Sequence, residues 1–175
     1  PTPEELRRRY ESGVGFSLES EGAKSLLTPY PGGEASRRYY QDAAIRAALE
    51  KIAGGEKRIL LFLATGSGKT FIAVQLLKKI ADAGGLRRAL FVCDRDELRT
   101  QGLGAFQNVF GADAAPVTTQ NPQKNARILI ATYQTLNVAG DSEDAKFLLE
   151  NYPENYFSLS LIHISEPTRL GMISY

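Results

Sequence analysis

The residues best placed to do chemistry stand in one decapeptide, LFLATGSGKT, residues 61–70. A glycine-rich turn between an apolar run and a Lys-Thr pair suits a polyphosphate. Gly66 and Gly68 let the backbone turn so that the amides of Thr65, Gly66, Ser67 and Gly68 can face inward as an anion nest. A helix opening at this point adds its partial positive charge. Lys69 can reach β- and γ-phosphates, and the Thr70 hydroxyl can ligate Mg²⁺. The strict form of this motif has glycine where Leu63 stands.

Such a loop needs a strand before it and a helix after it. KRILLFL (57–63) is a short apolar run between glycine-rich turns and reads as a buried strand. KTFIAVQLLKKIADA carries Ile72, Ala73, Leu76, Leu77 and Ile80 at helical spacing and stops at Gly84-Gly85. Upstream, Ser36 is expected to open a helix that Gly54-Gly55 closes, with Ile45, Leu49 and Ile52 on one face. RALFVC (88–93) and ARILIAT (126–132) read as further buried strands, and SEDAKFLLENY (142–152) as a helix capped by Asp141 or Ser142. Residues 94–110 read as a helix that Gly102 and Gly104 weaken, followed by a polar loop at 118–125. At the start, PEELRRRYES is a short charged helix with a capping box between Thr2 and Glu5. Residues 13–35 form an irregular connector with room for one helical turn. Strands alternating with helices imply an α/β fold with a parallel sheet and flanking helices.

The composition of the 175 residues is that of an ordinary globular domain, with 43% hydrophobic and 23% charged residues. No apolar run is long enough to span a membrane, and no secretory leader pattern is visible. The single cysteine, Cys93, ends an apolar run, permits no internal disulfide and fits a reducing cytoplasm. A net charge of +1 gives no global case for nucleic acid, and the basic clusters at Arg7-Arg8-Arg9 and Arg87-Arg88 read as solvated surface. The chain opens on Pro1 with no methionine before Met172, which suggests a reading frame cut at its start.

The flanks of the loop carry a resemblance. Arg38-Tyr39-Tyr40-Gln41, then ATGSGKT, then a strand ending in Asp94-Arg95, then ILIATYQTL resemble, in order, the first RecA-like domain of superfamily 2 helicases. The R (motor and restriction) subunit of type I restriction enzymes is the nearest likeness, and PTPEEL and LLTPYP are similar to its segment before the motor. Loops of this helicase type relax the position held by Leu63. The resemblance implies an ATP-dependent translocase of double-stranded DNA that works with separate specificity and modification subunits. Gln41 then takes the place of the glutamine that reads adenine, which a carboxamide can do through the N6/N7 edge. Arg38, Tyr39 or Tyr40 would border the base. Asp94, Arg95, Thr132, Gln134 and Thr135 take positions where such motors touch one DNA strand without reading its sequence. Thr132 and Asp94 are equally suited to capping their own loops. Asp96-Glu97 imitates a metal-binding acidic pair but is offset from its strand. A small P-loop kinase or other NTPase, and a nucleotide-responsive DNA-binding module without catalysis, are the alternative functions.

The expected catalytic pair, Asp-Glu-x-His, should follow the next strand, where the chain reads LSLIHISEPTR. Ser165 offers no carboxylate, Glu166 would lack a placed metal, and Thr168 replaces the histidine. This stretch resembles the conceptual translation of a transposon-type sequencing adapter. Three further codons, Leu170-Gly171-Met172, then match its variable index, and Ile173-Ser174-Tyr175 match its continuation. The reading therefore divides the chain into a linker segment (1–35), a first RecA-like domain truncated before its acidic box (36–158), and a non-native tail (159–175). It predicts a fragment that lacks the nuclease, the acidic pair and the second RecA-like domain, and that binds Mg-ATP weakly at best without turning it over.

Overall fold

A computed structural model describes residues 1–30, 38–94, 96–136, 146–163 and 172–174. Six strands form one sheet in the order β1-β6-β5-β2-β4-β3. They are β1 (Arg58–Leu60), β2 (Ala89–Cys93), β3 (Ala114–Pro116), β4 (Ile128–Thr132), β5 (Leu159–His163) and β6 (Met172–Ser174). β2 lies at the centre, parallel to β4 and β5, and β3 is parallel to β4. β2 and β4 are buried along their whole length, as strands covered on both faces must be.

One face of the sheet packs against three long helices, α3 (Tyr39–Ala53), α4 (Lys69–Asp82) and α5 (Asp96–Phe110). Their apolar stripes meet Ile59, Phe91, Ile128 and Ile130 in the larger core. The other face carries a smaller core of Leu90, Val92, Leu129, Ala131, Leu136 and Tyr152, beneath α6 (Tyr133–Leu136) and α7 (Lys146–Asn151). α5 runs unbroken through Gly102 and Gly104. Gly102 has a packing reason, since a Cβ there would lie 3.2 Å from the Phe91 ring. The glycine lets α5 close on the central strand.

Several boundaries differ from expectation. The strand expected over 57–63 contracts to β1, because its described ladder is only the three-residue β6, with Leu60 opposite Met172. The helix expected from Ser36 starts at Tyr39 after an extended Arg38; Ser36 lies outside the described residues, as do Asp141 and Ser142. β3 was not expected, since Ala114–Pro116 is too short to show a period. β6 is antiparallel to both β1 and β5, so the five other strands all run in one direction around it. Antiparallel strands in such sheets usually take an edge, and this one takes the interior.

The first thirty residues are docked rather than free. α1 (Pro3–Val14) has the expected capping box, with Glu5 N–H on Thr2 Oγ1 (3.2 Å) and Thr2 N–H on Glu5 Oε2 (3.0 Å). A 3₁₀ turn (Glu21–Ala23) and α2 (Lys24–Leu27) follow. Ala23 and Ser25 are buried, and Gly22 lies so close to α3 that a Cβ would meet Ala53 Cα at 3.1 Å.

Candidate nucleotide site

The loop between β1 and α4 has the geometry its glycines predict. Gly66 (φ 78°) and Gly68 (φ 82°) are left-handed, and Ser67 N–H closes a turn on Ala64 O at 3.2 Å. The first helical bond of α4 runs from Ile72 N–H to Gly68 O (2.9 Å), which leaves earlier amides of the first turn to face the loop. Lys69 Nζ donates to Leu63 O (3.0 Å) and Ala64 O (3.1 Å). An ammonium has three donors, so one remains for a phosphate oxygen. The Ser67 hydroxyl is buried and lacks a hydrogen-bond partner among the described residues. An orphaned polar atom inside a glycine cradle fits a ligand with acceptor oxygens. Thr65 is exposed on the loop, and Thr70 is half-buried in the first turn of α4.

Gln41 is brought to this loop from the first turn of α3. It is only 8% exposed. Its Nε2 donates to Ser67 O (3.0 Å), and its Oε1 accepts from Arg38 N–H (3.3 Å). A carboxamide has two N–H donors and two oxygen lone pairs, so one of each is left, which is the set that pairs with an adenine edge. Gly68 has a second reason to be glycine, because a Cβ there would meet Gln41 Nε2 at 2.6 Å. Arg38 donates from Nη1 to Tyr40 Oη (2.9 Å), and Tyr39 stands 87% exposed, edge-on to Tyr40. These three side chains contact one another at the start of α3, next to Gln41 in the chain.

β2 and β4 end in register, with Cys93 opposite Thr132, so Asp94 and Tyr133 leave the sheet at one edge. Thr132 is 1% exposed, and its hydroxyl meets Thr135 Oγ1 (2.9 Å) and accepts from Thr135 N–H (3.1 Å). It caps α6 from within, while Gln134 is exposed and Thr135 half-buried. Asp94 is half-buried at the end of β2; Arg95 lies outside the described residues. Asp96 and Glu97 sit exposed in the first turn of α5, where acids complement the helix dipole, and Asp96 pairs with Arg99 at 3.2 Å. Ser165, Glu166 and Thr168 lie outside the described residues. Among the described residues, no group of three or more His, Cys, Asp or Glu side chains could hold a metal.

Sequence reasoning missed the anchor of Gln41, a backbone carbonyl with no signature of its own. It also missed Lys79, which lies off the apolar stripe of α4 and is nonetheless 5% exposed.

A profile for the family described as "Type III restriction enzyme, res subunit" (ResIII) matches residues 34–160. The chain belongs to the ResIII family. The resemblance drawn from the motifs therefore holds, and so does the parallel α/β architecture expected of it. The ResIII chain is 36% identical over 143 residues to the endonuclease subunit of the type I restriction enzyme EcoKI from Escherichia coli K12. It is 30% identical over 162 residues to that of EcoAI from Escherichia coli. These matches take in 77% and 93% of the chain but 12% and 20% of the relatives, so the ResIII chain spans a fifth of their length or less. A solved fragment assigned as an HsdR subunit of a type I restriction enzyme from Vibrio vulnificus YJ016 superposes with a TM-score of 0.68 at 31% identity. That superposition covers 95% of this chain and 28% of the other.

Proposed function

We propose that this ResIII chain is the nucleotide-binding part of an ATP-driven DNA motor within a type I restriction endonuclease subunit. The observation that carries the reading is the joint between Gln41 and the phosphate loop. One side chain touches Ser67 and Gly68 while keeping the two groups that recognise adenine. A phosphate loop alone serves many NTPases; a loop coupled in this way to a base-reading glutamine favours ATP over other nucleotides.

Within this reading Gly66, Ser67 and Gly68 wrap the phosphates, Lys69 donates to their outer oxygens, and Arg38 and Tyr40 border the base. Mg²⁺, held by Thr70, would neutralise charge building on the phosphates. Gln134, Thr135 and Asp94 would touch a DNA backbone near the strand ends, with Thr132 positioning α6 by capping it, and Arg95 would join them by its place in the motif. The parent protein would act in the cytoplasm on double-stranded DNA, together with specificity and modification subunits. Leu159–Tyr175 is read as adapter-derived, so the acidic box belongs to the parent gene and this chain binds ATP without hydrolysing it.

The test is titration of the chain with fluorescent ATP in Mg²⁺, beside a phosphate-release assay. Saturable binding is expected, weakened about tenfold or more in Lys69→Ala, the scale of one charged hydrogen bond. Steady phosphate release that Lys69→Ala abolishes would overturn the statement on hydrolysis. No binding at all would overturn the nucleotide site.

A further inference from the structure

α3 and α4 each carry one half of the nucleotide site at their N-terminal ends, Gln41 on one and Lys69 on the other. Further along, both helices are gripped by the N-terminal segment. On α3, Tyr10 Oη of α1 donates to Glu50 Oε1 (2.7 Å), Arg46 Nε meets the same oxygen at 3.2 Å, and the Arg46 guanidinium lies 5.7 Å from the Tyr10 ring. On α4, Lys79 Nζ donates to Leu26 O (3.3 Å) and stands 4.2 Å over the Tyr30 ring. The 3₁₀ turn adds a further contact, with Gly22 on Ala53.

Glu50 is about 14 Å along α3 from Gln41, and Lys79 about 15 Å along α4 from Lys69. Packed helices move as rigid rods, so their spacing at this end is transmitted to the other end. There the gap is closed by the bond from Gln41 to Ser67. The joint is also built to open. A lysine and a phenol hydrogen-bonded to a carboxylate are groups that water solvates well once the segment leaves, unlike an apolar core, and mixed polar contacts of this kind typify reversible docking between units of one chain. Beside the joint, α1, α2 and α3 enclose a cleft of about 910 Å³, with Leu6, Leu27 and Tyr39 at its walls, so the docked segment is not sealed along its length.

We propose that residues 1–30 are a brace whose docking on Glu50 and Lys79 sets the affinity of the nucleotide site, which makes this segment the route by which preceding parts of the parent protein and ATP influence each other. The proposal rests on the nucleotide-site reading above. By thermodynamic linkage, whatever docking adds to ATP affinity, ATP must add to docking.

The experiment is hydrogen exchange of the full 175-residue chain with and without Mg-ATP, read by mass spectrometry over residues 4–30, together with ATP titrations. ATP is expected to slow exchange in this segment about fivefold, the lower end of measured couplings between sites. Lys79→Met should weaken ATP binding by a factor that matches its loss of that protection, although Lys79 lies far from the phosphates. Tyr10→Phe, a milder change on the brace itself, should do both to a smaller extent and decides the matter if Lys79→Met does not fold. Saturable ATP binding with unchanged exchange over residues 4–30 would overturn the brace and leave the nucleotide site standing. Absence of ATP binding to the folded chain would overturn the nucleotide site and the brace with it.

Discussion

At the scale of single residues, the site is defined by side chains with two tasks. Gln41 holds the glycine-rich loop through Ser67 O, and under the proposed function its remaining donor and acceptor read the base. Gln41→Ala is therefore expected to weaken ATP about tenfold or more and to erase the preference for ATP over GTP, because a bidentate base contact carries about 1–3 kcal/mol of discrimination. Parallel titrations with the two nucleotides check this; a variant that still prefers ATP would show that the base is read elsewhere. Much of this was legible in the chain. Gly66, Gly68, Lys69 and Thr70, with an apolar strand before them and an amphipathic helix after, predict a phosphate loop, because backbone conformation and charge there depend on the residues themselves. The partner of Gln41 was not legible, since a carbonyl oxygen is common to every residue. For Thr132 the sequence left loop capping and DNA contact open, and its hydroxyl is spent inside on α6.

At the scale of elements, the long helices and the central strands follow from their apolar pattern, and the short pieces follow from their neighbours. α5 is the clearest case. Two glycines argue against a helix by propensity, yet Phe106 is fully buried against Phe91, with ring centroids 5.0 Å apart, and Gly102 makes room for that contact. Tertiary packing overrides local preference here. Phe106→Ala should cost about 3–5 kcal/mol of stability, measured by denaturant unfolding, as expected for a large side chain removed from a close-packed core. A loss under about 1 kcal/mol would mean that α5 collapses onto the sheet without it.

At the scale of the whole molecule, two matters concern the ends of the chain. The N-terminal segment docks through Tyr10, whose phenol is raised above its ordinary value of 10.0, first by burial and then by its hydrogen bond to the Glu50 carboxylate. A group whose folded value is raised contributes fully below its unfolded value and loses that contribution as pH rises through the folded one. Docking should thus hold through neutral pH and weaken in alkali above about pH 10, where a phenolate would face Glu50. Melting curves across that range should show the loss, and Tyr10→Phe should remove that part of the pH dependence. At the other end, β6 lies antiparallel inside a sheet that otherwise runs one way, and it belongs to the stretch read as adapter-derived. Sequencing the parent genome across the codons for Tyr156 to Arg169 is expected to show divergence after Ser158 into an acidic box. Genomic codons that do spell LSLIHISEPTR would make the chain a motor-like domain with a broken metal site and favour the non-catalytic binding module.

The sequence by itself determined the glycine-rich loop ahead of α4, the alternation of strand and helix, and the family, because each rests on residue type and spacing over short stretches of chain. Only the tertiary structure decided that Gln41 locks onto Ser67, that Lys79 is buried beneath the N-terminal segment, and that this segment is docked on α3 and α4. Those contacts join residues remote in sequence, and they involve backbone atoms or charged side chains whose burial no local pattern announces.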